Sequence, residues 1–110
     1  MPRLFAYGTL LDPAVQQRVF GRQLDGTADA LAGVVRATLA AGDGSGDAWP
    51  DLAVTGRPDD VVAGRLFKLS DAELAAADAY ETAAYARTAV TLASGTRAWV
   101  YRGVRQAFPG

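Results

Sequence analysis

A chain of 110 residues, half of them apolar and 21% charged, is long enough for one domain that buries roughly two thirds of its unfolded surface, and too short for two. It has no cysteine and no histidine, which excludes disulfides, thiolate and imidazole metal sites, and Ser-His-Asp or Cys-His catalysis. Eleven basic and twelve acidic residues give a net charge of −1, so no bulk field draws the chain to nucleic acid or an anionic membrane, and a small molecule is the more natural partner.

The run Leu4-Phe5-Ala6-Tyr7 predicts a buried first strand that breaks at Gly8. The apolar segment Leu4 to Leu11 is too short for a membrane span and too weak for a signal peptide, so a cytoplasmic location is expected. Asp12-Pro13 supplies an N-cap and a proline at the first helical position, which predicts a helix from Pro13 to Phe20, stopped by Gly21. Leu24 to Leu39 reads as β structure around Gly33. Ala41 to Asp51, rich in Gly, Asp and Ser with Pro50, reads as an exposed loop.

Leu52-Ala53-Val54 is a short strand, Arg57-Pro58-Asp59-Asp60 a turn, and Val61 to Leu69 a clearer strand. Ser70-Asp71-Ala72-Glu73 is a capping box, so a helix starts there and runs to about Tyr80, with Leu74 and Ala77 inward. Tyr85 to Leu92 alternates in polarity, and Ser94-Gly95 turns it into Thr96 to Tyr101 as a hairpin. Short strands with separated helices and no βαβ rhythm indicate an α+β domain spanning 1–110, with a sheet that curls to cover its edges.

Two places can carry chemistry. Tyr7-Gly8-Thr9-Leu10 lies between a strand and a helix, where successive amides can converge on an anion such as a carboxylate. A turn that simply needs a glycine reads the same way. Glu81 is one of only two glutamates and falls at a helix C-terminus, the wrong end of the dipole for an acidic group. A buried carboxylate is the best general base left in a chain without histidine, and the bland alternative is an ion pair with Arg87. Glu73 is accounted for by capping, Lys68 alternates outward on its strand, and Tyr85 and Tyr101 read as core or rim aromatics.

Tyr7-Gly8-Thr9-Leu10, Trp49-Pro50, Val62-Ala63-Gly64-Arg65-Leu66-Phe67, and Asp78-Ala79-Tyr80-Glu81 followed by Tyr85-Ala86-Arg87, in this order, resemble the gamma-glutamylcyclotransferase-like (AIG2-like) family. The resemblance implies a small mixed β-barrel flanked by short helices. It also implies conversion of a gamma-glutamyl amide to 5-oxoproline and free amine, with no metal and no cofactor. By the same resemblance Tyr7, Gly8, Thr9 and Leu10 hold the gamma-glutamyl part and Glu81 is the catalytic acid/base, while Tyr85 and Tyr101 are expected to line the substrate site. A non-catalytic module that binds a small carboxylate in the same pocket is the alternative. Ala77 and Thr82-Ala83-Ala84 depart from the family pattern, which leaves the identity of the amine open.

Overall fold

The apolar run Leu4-Phe5-Ala6-Tyr7 occupies the middle of the molecule, with every member at most 6% exposed. A computed structural model describes residues 2–40, 48–81 and 85–103. In chain order these form β1 (Arg3–Ala6), a 3₁₀ turn (Thr9–Leu11), α1 (Pro13–Phe20), β2 (Gly26–Ala32), β3 (Val34–Ala40), β4 (Ala48–Val54), β5 (Val61–Lys68), α2 (Asp71–Glu81), β6 (Tyr85–Thr91) and β7 (Arg97–Gly103). The architecture is α+β, as the element pattern predicts.

The five-stranded sheet has the order β2-β5-β1-β7-β6, and β3 pairs with β4 in a separate two-stranded ribbon. Only β1 and β7 run parallel; the other pairs are antiparallel. A central strand must be apolar on both faces, which is why β1 shows no alternation. Phe5 and Tyr7 enter a cluster with Leu31, Val34, Leu52, Val62, Val90 and Val100, where the ribbon covers the sheet. Leu4 and Ala6 enter the opposite cluster with Leu10, Phe67, Leu74, Ala77 and Tyr101, where both helices pack.

The sheet curls until its edges meet. The Ala93 N–H donates to the Ala30 carbonyl at 2.8 Å, and the Ser94 hydroxyl donates to Asp29 Oδ2 at 2.6 Å, joining the β6–β7 turn to β2. The closing contact of this barrel-like wall is therefore a turn and a side chain.

Local signals fold as read. The Asp12 carboxylate accepts from the Ala14 N–H, and Gly21 ends α1 at φ +72°. Glu73 accepts from the Ser70 N–H while Ser70 Oγ accepts from the Glu73 N–H, the reciprocal bonds of a capping box. Arg22 adds a paired contact to Glu73, and its hydrogen bond holds that carboxyl well below the usual range, at about 2. Gly33, at φ +81°, separates β2 from β3.

One expectation is corrected. Ala48 to Asp51, read as part of a loop, belongs to β4, whose register runs from Ala40↔Ala48 to Val34↔Val54. In a two-stranded ribbon each strand has one open edge, where proline's missing N–H costs no ladder bond. Residues 41–47 and 82–84, with the Trp49 side chain, lie outside the described residues.

Candidate active site

The site forms where β1 leaves the sheet. Arg36 donates from Nη1 to the Tyr7 carbonyl at 2.8 Å and from Nη2 to the Ala63 carbonyl at 3.1 Å, so the ribbon grips the chain just past the end of β1. The chain then tightens into the 3₁₀ turn, whose Gly8 and Thr9 carbonyls accept from the Leu11 and Asp12 N–H groups. The amides that open such a turn have no partner within it. Gln16, buried in α1, braces the turn from below: its Nε2 donates to the Leu10 carbonyl at 2.9 Å and its Oε1 accepts from the Leu24 N–H.

Phe5, Ala6, Tyr7, Gly8, Thr9, Leu10, Glu81, Tyr85 and Tyr101 line one pocket, with about 350 Å³ of empty space including its mouth. All seven residues singled out from the sequence are thus brought together. Tyr85 and Tyr101, read as core or rim aromatics on burial alone, stand in the pocket wall. The Tyr7 phenol donates to the Tyr101 carbonyl at 2.7 Å, and the Tyr101 phenol donates to Asp78 Oδ1 at 2.6 Å. Burial raises the titration of both phenols, and pushes Tyr85 up to about 12 with help from the Glu81 charge, so all three stay neutral donors near pH 7.

Glu81 is the last residue of α2 and half-buried. Removal from water pushes its carboxyl up to about 7, and among the described residues no cation offsets that shift. The expected alternative partner is otherwise engaged: Arg87 Nε lies 3.4 Å from Asp78 Oδ1, and its guanidinium stacks 4.6 Å over the Trp99 ring. A carboxylate facing a pocket, desolvated and without a counter-charge among the described residues, is poised to exchange a proton near neutral pH.

Asp51 escaped the sequence reading because its neighbours Trp49 and Pro50 mimic a loop. It is fully buried; Oδ1 accepts from the Leu52 and Gly103 N–H groups, each at 2.7 Å, while Oδ2 has no partner. The carboxylate thereby stitches β4 to the end of β7, just beyond Tyr101. Asp51→Ala orphans two buried donors and relieves one unpartnered oxygen, a net loss of about 1–3 kcal/mol. The melting temperature should drop by roughly 5–15 °C, whereas Asp51→Asn, which keeps Oδ1, should stay close to wild type. Equal melting temperatures for Asp51→Ala and wild type would show that the stitch carries no stability.

Among the described residues no helix is long and apolar enough to cross a membrane. A family model described as "Gamma-glutamyl cyclotransferase, AIG2-like" matches residues 4–107. The solution structure of At3g28950.1 from Arabidopsis thaliana is similar at 26% identity and a TM-score of 0.78, over 98% of this chain and 65% of that one. That of At5g39720.1, also from Arabidopsis thaliana, has 23% identity and a TM-score of 0.77, over 98% of this chain and 72% of that one, and bears on the fold alone. The chain therefore spans just under two thirds of the first of these structures. A comparison with curated proteins gave no match.

Proposed function

Because the chain belongs to the AIG2-like gamma-glutamyl cyclotransferase family, we propose that it converts a gamma-glutamyl amide to 5-oxoproline and a free amine, with Glu81 as the acid/base. The family implies a small gamma-glutamyl substrate. The observation that carries the reading is the convergence of the Tyr7–Leu10 loop and the desolvated Glu81 on one pocket.

The substrate brings its own nucleophile. With the α-carboxylate held at the loop amides, the α-ammonium lies on the Glu81 side, and Glu81 removes its proton. The amine attacks the γ-carbonyl and forms the new C–N bond of a five-membered ring. Glu81 then gives that proton to the leaving nitrogen and, as the old C–N bond breaks, takes the second proton from the ring nitrogen; 5-oxoproline is released, and passing this proton to the free amine restores the carboxylate. Both reacting groups belong to one molecule, so the protein supplies orientation and proton transfer. The phenols of Tyr7, Tyr85 and Tyr101 stay neutral and line the site without adding charge.

Incubation with a panel of gamma-glutamyl amides should release 5-oxoproline from at least one. Binding of 5-oxoproline without turnover of any would make the protein a carboxylate-binding module. For a substrate that reacts, the rate should climb with pH through about 7 as Glu81 loses its proton. An acid limb centred near the ordinary carboxylate range would show that the base is not a desolvated Glu81.

A further inference from the structure

We propose that Tyr80 is a positioning residue for this reaction: its phenol clasps Thr9 of the pocket loop and so holds the last turn of α2, which carries Glu81, at a fixed distance from the loop. The inference rests on Glu81 being the base. Carbonyls near a helix end lack partners in the helix, and Glu81 lies in the last described turn of α2. Its carboxylate has neither a hydrogen bond nor an ion pair to hold it among the described residues. The restraint must come from a neighbour.

Tyr80 is that neighbour. Its ring packs half-buried against the cluster that includes Leu10, Leu74, Ala77 and Tyr101. Its hydroxyl donates to Thr9 Oγ1 at 3.0 Å, across 71 residues of sequence. Thr9 lines the pocket, as Glu81 does. One hydrogen bond therefore ties together the two segments that must bind the substrate and exchange its proton. A displacement of about an ångström between such groups can cost a large factor in rate, while each half keeps its own chemistry. Tyr80 touches neither the reacting nitrogen nor the carbonyl in this arrangement; it acts through Thr9 and the helix end.

Tyr80→Phe keeps the ring and its packing but removes the hydroxyl. Turnover should fall about tenfold with KM within about twofold of wild type, since the loop still binds the substrate. The acid limb of the pH profile should also move down. The groups around Glu81 are the phenols of Tyr7, Tyr85 and Tyr101, with Asp78 one turn back already paired to Arg87. Among the described residues no cation pairs with Glu81, so a looser turn that admits water lowers its titration towards the ordinary value. Thr9→Val cuts the same bond from the other side. In that background Tyr80→Phe should cost nothing further, because the bond is already gone.

Wild-type turnover and an unmoved acid limb in Tyr80→Phe would overturn the clasp, as would losses that simply add in the double variant. Glu81→Gln in the same assays separates the two ideas. If it is inactive while Tyr80→Phe is indistinguishable from wild type, only the clasp fails; if it is active, the base assignment fails and takes the clasp with it.

Discussion

Glu81→Gln is expected to slow 5-oxoproline release by roughly 10²- to 10⁴-fold while the protein stays folded, because the amide keeps the shape of the side chain but cannot accept the proton. Binding of 5-oxoproline should persist, since in the proposed mechanism the loop, not Glu81, holds the carboxylate. The variant also carries a distinct stability signature. Burial lifts the folded-state carboxyl from its ordinary 4.5 to about 7, so the folded state binds this proton more tightly than the unfolded one. That contribution is complete below the unfolded value and is lost as pH rises through the folded one. Glutamine never ionises. Its melting temperature, relative to wild type, should therefore improve steadily from about pH 4.5 to about pH 7. The checks are turnover, 5-oxoproline affinity and melting temperature across that range. Wild-type turnover would remove Glu81 from the chemistry; a variant that unfolds would make Glu81 a structural group instead.

Gly64→Ala is expected to be the most damaging small substitution in the sheet. Gly64 lies in β5 beside β1, and an added Cβ would run into the Ala6 carbonyl oxygen and lie 2.8–2.9 Å from Phe5 ring atoms. A flexible side chain could step aside, but backbone at the centre of the sheet cannot, and the Phe5 ring is 1% exposed with nowhere to go. Overpacking of this kind costs about 1–3 kcal/mol and sometimes more. The melting temperature should fall by at least roughly 5–15 °C. Because Ala6 immediately precedes the Tyr7–Leu10 loop, 5-oxoproline affinity should fall with it. Gly95→Ala is the control: at φ +89° it is strained, yet nothing lies within 4 Å, so it should cost only about 1 kcal/mol and leave affinity intact. A Gly64→Ala protein as stable as wild type would mean that β1 and β5 can separate without penalty.

The elements that declare themselves in the sequence are those whose signals are local. Asp12-Pro13 with Gly21, and the Ser70–Glu73 box, specify their helix ends through bonds made within a few residues, and they form as read. The break at Gly33 and the turn at Ser94-Gly95 follow from positive φ at glycine. Tyr7–Leu10 and Glu81 stood out locally as candidates, each with a bland alternative, and it was the family resemblance that joined them into one expected site, which the structure brings to a single pocket.

By itself, then, the sequence determined the α+β class, the helix boundaries, the lack of imidazole and thiol side chains, and the two segments proposed to bind the substrate and exchange its proton. Tertiary structure alone decided the rest. Ala48 to Asp51 became strand, not loop, because Asp51 finds the Gly103 N–H across the fold and an open ribbon edge accepts Pro50. Arg87 went to Asp78 and Trp99 and does not pair with Glu81. Gln16, Arg36 and Tyr80 brace the pocket through partners 6, 29 and 71 residues away. The reason is physical: a cap or turn is settled by backbone geometry over a few residues, whereas the partner of a buried carboxylate or a long side chain is fixed only when packing brings distant strands within hydrogen-bonding distance and removes the water that would otherwise serve.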